Sequence, residues 1–434
     1  MDQFNIKIGT AKKVIPYPEN IFPYHSWGPR RLTGVHDDLH VRVIYLSEPS
    51  ELLVVSVENG DIDPVWVEKL SKAAGVSTDN ILITVSHTHT APFIGGYWPE
   101  DVEDVEKSEQ YKLLAWETLI EAVKEAMAKA EPVILRYAEG YCDVNICRDN
   151  PQIDPETGKT LWRIGRNFKG YSDKTVYTIS FEREDGTIAA VLFNYSVHSA
   201  VLFDAKMTKG GQLASGDLSG FAMDSVEKAL GHEAVAIFTM APAADQNAKY
   251  TAAYTYTGEN GQKQNGNYGE SSYVLVELQG RDLGEATLAA ITQPKTVYHA
   301  EQIKTVSETI FVPGKIKKEG RGAKWPESPD EYELSEPVPI PLSVTAIGNL
   351  AIVGIGCETS SKNSPEIRKV LAQEGFTDTI IITQCNGSSS YMSDADGYQV
   401  VTFSAKASHM MPEAVDILFS SIKRLAAKSA GKNL

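Results

Sequence analysis

Short apolar, β-branched runs alternate along the chain with longer segments whose apolar residues recur at helical spacing. A strand buries alternate residues on one face, or nearly all of them when both its faces are covered, whereas a 3.6-residue period marks a helix with one apolar stripe. On this basis strands are predicted over residues 39–46, 52–57, 81–85, 187–195, 234–240, 306–311, 342–347, 350–355 and 379–383. Helices are predicted over 64–74, 109–130, 219–230, 272–291, 365–373 and 411–427. The alternation implies an α/β fold with mixed β-sheets flanked by helices. Residues 1–434 read as one domain with a loop excursion at about 314–341, where Pro, Glu, Lys and Gly dominate. Residues 250–268, rich in Tyr, Thr, Gly, Asn and Gln, suit either a substrate lid or a plain crossover.

Composition narrows the class of protein. Hydrophobic residues make up 42% and charged residues 23% of 434 residues, enough for a sizeable core. A formal charge of −16 argues against nucleic acid and anionic membrane surfaces, which favour basic patches. No apolar run reaches the roughly 18 residues of a membrane helix, and the N-terminus has no basic stretch leading into an apolar one. A cytoplasmic chain without stable membrane association is therefore expected, with homo-oligomerisation left open. Four cysteines without a CxxC pair suggest neither a zinc knuckle nor a disulfide scaffold. In that setting the sequons at Asn194 and Asn386 carry no meaning.

Candidate chemistry gathers where predicted strands end. The 81–85 strand runs into Ser86-His87-Thr88-His89, and residues at i and i+2 of an extended segment share a face. Only nine histidines occur in the chain. A third, His198, follows the 187–195 strand; Glu358 follows the 350–355 strand after Gly354 and Gly356; Tyr391 follows the 379–383 strand and a Gly/Ser loop. Two histidines and a carboxylate form a common catalytic zinc set with a position left for water. There is no Gly-x-Ser-x-Gly elbow, no complete phosphate-binding loop before Lys159-Thr160, and no dinucleotide fingerprint around Gly34 or Gly354.

The order of these motifs resembles the catalytic domain of the neutral, non-lysosomal ceramidase family. The matching segments are Gly34-Val35-His36 with Arg42, Asn145-Ile-Cys-Arg148, Ser86 to His89, Asn194 to His198, Ser215-Gly-Asp217, Gly356-Cys357-Glu358, and the tyrosine pair Tyr391 and Tyr398. They span residues 34 to 398. The resemblance implies one zinc ion per chain, held by His87, His198, Glu358 and Tyr391, and hydrolysis of an amide by a water that the metal acidifies. It further implies catalytic roles for His89, which orients the reacting centre, and for Arg148, Asp217, Asp245 and Asn247, with His36 and Tyr398 touching substrate; Arg31, in the polar stretch from Tyr24, is a further candidate for substrate contact. Asp217 reads either as support for a histidine N–H or as the N-cap of the following helix.

Several departures bear on the substrate. Where the family has Gly-Asp-x-Ser-Pro-Asn, this chain has Ala243-Ala244-Asp245-Gln246-Asn247, so Asp245 stands in the serine's place. The tyrosine that follows the ligand tyrosine by twelve residues is Phe403 here. The β-sandwich module and export signal of secreted ceramidases have no counterpart in the sequence. The polar, aromatic and cationic stretch from Tyr24 to Arg31 suits a small hydroxylated or anionic molecule. The expected activity is hydrolysis of an amide, ester or lactone of a soluble small molecule. The alternatives are a zinc-dependent lyase or isomerase acting on a polyol or sugar-like compound, and a non-catalytic binding homologue.

Overall fold

The computed structural model describes residues 6–26, 31–94, 102–231, 233–257, 259, 262–299, 302–316 and 325–432. Among these, two large sheets form the frame. The larger runs in the order Val235–Met240, Ile188–Tyr195, Thr175–Arg183, Glu131–Tyr141, Ile6–Val14, His40–Glu48, Leu52–Val57, Ile81–Val85, and Thr296–Tyr298 also pairs with Glu131–Tyr141. The smaller runs Ile303–Lys315, Leu334–Ile347, Leu350–Ile355, Asp378–Thr383. Both are mixed, as expected.

Burial on both faces explains the continuous apolar runs. Val41, Val43 and Tyr45 of one strand face the helices Val65–Ala74 and Val102–Ala128, while Ile44 and Leu46 face inward toward Leu350, Ile352, Ile380 and Ile382 of the smaller sheet. The helices Asp217–Leu230 and Ser272–Ile291 cover the other half of the large sheet, and Ser364–Gln373 and Ala414–Ser429 cover the small one. One core thus lies between the sheets and three lie between sheet and helix.

The large sheet curls, so that its edge strands Val235–Met240 and Ile81–Val85 approach each other. A right-handed twist accumulated over many strands has this result. Each edge strand belongs to a parallel pair: Leu52–Val57 with Ile81–Val85, and Ile188–Tyr195 with Val235–Met240. The small sheet contributes a third parallel pair, Leu350–Ile355 with Asp378–Thr383. The C-terminal ends of these pairs meet in one place, where open α/β sheets characteristically bind ligands.

Polar side chains stitch the seam between the sheets. Asn386, just past the small sheet, donates from Nδ2 to the Ile81 carbonyl (2.7 Å), accepts from the Ile83 amide at Oδ1 (2.7 Å), and donates its own amide to the Ile83 carbonyl (2.8 Å). It caps the free edge of the large sheet, which would otherwise be open to mispairing. Asn194 Nδ2 reaches the Ile381 carbonyl (2.9 Å), and Thr383 Oγ1 reaches the Met240 carbonyl (3.0 Å).

Two expectations change. The excursion at 314–341 is largely strand: Leu334 to Pro341 extends a long hairpin against Thr309 to Lys315, and residues 317–324 lie outside the described residues. Pro337, Pro339 and Pro341 suggested a loop, yet they lie in the overhanging part of a strand that pairs there on one side only, where a missing amide is tolerated. Residues 250–268 hold a short hairpin, Ala253–Thr257 with Lys263–Asn267, whose base is tied to the chain beyond His198 by the bond from the Ala252 amide to the Val201 carbonyl (2.8 Å).

Candidate metal centre

His87, His89, His198 and Glu358 converge at the ends of these strands. Two residues past the Ile81–Val85 strand, His87 takes a left-handed backbone conformation (φ 56°). Its Nδ1 lies 2.8 Å from the Gly60 carbonyl, which orients Nε2 toward the cluster. His198 is held alike, with Nδ1 2.9 Å from the Gln246 carbonyl. The Nε2 atoms of His87 and His89 are 3.2 Å apart. Glu358 Oε2 lies 2.9 Å from His198 Nε2 and 3.6 Å from His87 Nε2, and its Oε1 accepts from Gln384 Nε2 at 2.8 Å. The candidate ligand atoms of the three histidines all lie within 4.8 Å of one another.

This donor set fits a divalent cation. A neutral imidazole carries one N–H. His198 has a carbonyl at one nitrogen and a carboxylate at the other, and burial pushes its pKa down to about 4, so it is neutral near pH 7. With the proton on Nδ1 toward the carbonyl, a lone pair on Nε2 faces a carboxylate. A cation between them turns this repulsion into coordination. Burial first, then the neighbouring histidines, also pushes His89 well below the usual histidine range. Nearby charges, His87 foremost, more than offset burial at Glu358 and hold its carboxyl below the usual carboxylate range.

Arg148 and Tyr391 flank the cluster. Tyr391 pairs in parallel register with Glu358, its ring 6.4 Å from that of His198. Burial, followed by the Glu358 charge, pushes its phenol up to about 12. The Arg148 guanidinium packs against Tyr391 (5.5 Å) and Phe403 (5.2 Å). Nε donates to the Ala244 carbonyl (2.9 Å) and Nη1 to Asn247 Oδ1 (3.3 Å), while buried Nη2 has no hydrogen-bond partner among the described residues.

No sequence-family model matches the chain, and no curated protein sequence does. Solved structures do match it. A ceramidase complexed with C2 superposes with a TM-score of 0.74 at 14% identity, over 98% of this chain and 75% of that one. Neutral ceramidase from Pseudomonas aeruginosa superposes with a TM-score of 0.75 at 16% identity, over 99% of this chain and 75% of that one.

The fold is that of the neutral ceramidases.

Within that ceramidase-like frame, the residues expected from sequence separate into two groups. His87, His89, His198, Glu358, Tyr391, Arg148 and Asn247 are brought together, and Phe403 lies against Tyr391 with ring centroids 5.8 Å apart. His89 joins the candidate ligands, a position that its predicted orienting role did not include.

The remaining candidates have other contacts. Asp217 supports no histidine and is not the N-cap: its carboxylate accepts from the amides of Val201 (3.0 Å), Leu202 (3.0 Å) and Leu218 (2.7 Å), bracing the turn that carries His198. Asp245 is turned away, accepting from the Ser361 amide (2.6 Å) and hydroxyl (2.8 Å) and fixing the loop beyond Glu358. Tyr398 is fully buried, with its hydroxyl 2.9 Å from that of Ser408. His36 stacks on Tyr273 (4.1 Å) and pairs with Asp37 (2.8 Å), neither of which belongs to the cluster. Arg31 is half-buried beside Gln212, and Trp27 to Arg30 of the same stretch lie outside the described residues.

Three contributors have no sequence signal of their own: the Gly60 and Gln246 carbonyls, and Gln384. Asp61, beside Gly60, is a fourth, its carboxyl pushed up to about 7, chiefly by burial. Cys357 is inert by environment, its thiol fully buried and pushed up accordingly. No described helix is long and apolar enough to cross a membrane.

Proposed function

We propose that this chain is a zinc-dependent hydrolase that cleaves an amide, or a related ester or lactone, of a small molecule. One observation carries the reading: His198 sits between two acceptors that a neutral ring cannot both satisfy, and the second is the carboxylate that His87 also faces. Three imidazoles and a carboxylate form a nitrogen- and oxygen-rich set suited to zinc. His87, His89, His198 and Glu358 would hold the ion, with Tyr391 at its margin.

When bound, such an ion lowers the pKa of water and polarises a carbonyl oxygen. The protein supplies the rest. The Gly60 and Gln246 carbonyls fix the histidine tautomers, and Gln384 fixes the Glu358 carboxylate. Arg148 Nη2 and the Tyr391 hydroxyl are the donors at hand for an oxygen that gains charge as the carbonyl is attacked. With its pKa raised, Tyr391 stays protonated and able to donate.

Elemental mass spectrometry of untagged protein, wild type against His198→Ala, tests this. About one zinc per chain, lost in the variant, is expected. Wild-type protein without stoichiometric metal after soaking in zinc would falsify the reading.

A further inference from the structure

A cavity of about 390 Å³ shares a wall with the candidate centre. The shared wall is Phe403, whose ring touches both Tyr391 and Arg148. Trp325 stacks directly on Phe403, with ring centroids 5.9 Å apart and planes 24° apart. Across the cavity, Trp162 and Ile164 come from the Thr160–Asn167 strand. Three aromatic rings therefore line a space separated from Tyr391 and Arg148 of the candidate centre by one ring, Phe403.

The charges in this cavity are unusual for an acidic protein. Arg163 and Lys406 line it with a single carboxylate, Glu327, in a chain whose formal charge is −16. Neither cation forms an ion pair within 4 Å among the described residues, unlike Lys7, Lys12, Lys112 and Lys249. Lys406 is half-buried, and burial, then Arg163, pushes its ammonium below the usual lysine range. An anion would relieve that repulsion.

We propose that this cavity is the specificity pocket of the enzyme, and that it takes a ring-bearing portion of the substrate carrying a carboxylate. The rings of Trp162, Trp325 and Phe403 contact the planar group, and Arg163 and Lys406 hold the anion. The assignment rests on the hydrolase reading, since it names the class of amide that would reach the centre: a small N-acylated aromatic acid. Its volume lies near the lower end of the roughly 300–1,000 Å³ typical of small-molecule sites. Laying a long alkyl chain over two cations would strip their solvation without replacing it. A ring with a carboxylate matches both linings.

Two probes that differ only by a carboxylate test this: N-acetyl-L-tryptophan and N-acetyltryptamine. Calorimetry on the zinc-loaded protein is expected to show the acid binding about tenfold or more tighter, the usual size of one or two charge-assisted contacts. That preference is expected to fall toward unity in Lys406→Met and in Arg163→Gln. Arg163 is exposed, so its variant folds whether or not the Lys406 variant does. Equal affinity for the two probes, no binding of either, or an unchanged preference in both variants would overturn the assignment. Tight, charge-dependent binding without turnover would keep the pocket and overturn the hydrolase reading. Turnover of both probes at equal kcat/KM would do the reverse.

Discussion

His87 occupies a left-handed backbone conformation that costs a non-glycine residue roughly 1–2 kcal/mol, and the bond from its ring to Gly60 holds it there. Strain of this kind, here at a candidate ligand position, persists only where surrounding contacts hold it. Gln384, also at positive φ (52°), holds the opposite side of the site through Glu358. Gln384→Leu should therefore weaken zinc affinity about 10–100-fold while leaving the fold intact, as read by competition with a chromogenic chelator. Among the described residues Arg148 shows no hydrogen bond to His87, His198 or Glu358 and packs instead against Tyr391 and Phe403. Arg148→Met should keep stoichiometric zinc yet lower kcat/KM on a cleaved amide by about 100-fold or more. Loss of zinc in that variant would make Arg148 part of the scaffold instead.

Among the elements, the helix Asp217–Leu230 ties the site to the rest of the fold. Its first turn braces the chain on both sides of the cluster: Asp217 binds the Val201 and Leu202 amides, and Ser219 Oγ binds the Ser86 carbonyl (3.1 Å) and the Ser199 hydroxyl (2.7 Å). Further along, Glu227 grips buried Arg42 of the His40–Glu48 strand (2.8 Å), and Arg42 also pairs with Glu58. Burial alone would raise the Glu58 pKa, but Arg42 and His40 hold it down near 2. Because the folded value lies below the unfolded one of about 4.5, the pair stabilises the protein above that pH, and its contribution, roughly 3 kcal/mol, is lost as pH falls toward 2. Urea titrations at pH 6, 4 and 3 should show that loss. Arg42→Met should remove the pH dependence and cost about 3–5 kcal/mol at neutral pH by stranding buried carboxylates.

At the same scale, what sequence could and could not reveal divides along physical lines. Ile81–Val85, Leu52–Val57 and Leu350–Ile355 match their predicted bounds because each is a short, continuous apolar run buried on both faces, and Ser272–Ile291 does so through its helical spacing. Thr160–Asn167 was missed because its face is exposed and carries Trp162, Arg163 and Arg166 instead of an apolar run. Ile6–Val14 was missed because Lys7, Lys12 and Lys13 obscure its alternation. In the site, side chains beside apolar strands were legible, whereas the oxygens that orient them were not, since any residue can supply a carbonyl. For Asp217 and Asp245, sequence places a carboxylate near the site without showing that each faces backbone amides.

For the whole molecule, the cluster straddles the two sheets. His87, His89 and His198 come from the large one, and Glu358 from the small one. An ion held there cross-links both, so zinc at 100 times its dissociation constant should add about 2.7 kcal/mol of stability, read as a fall in Tm on chelation. Asn386→Ala, which removes two seam bonds, should cost about 2 kcal/mol or more in the same assay.

The placement of Asn386 makes the ion a remote gauge of that seam. It binds strand Ile81–Val85 and touches no candidate ligand, yet it sets how closely the edge that launches His87 lies to the sheet that carries Glu358. Coupling free energies are reciprocal, so whatever stability the ion lends to the closed seam, the closed seam returns as affinity for the ion. Excess zinc should consequently restore part of the Tm lost in Asn386→Ala, and the protein's hold on its metal becomes a measure of how well its two halves are joined.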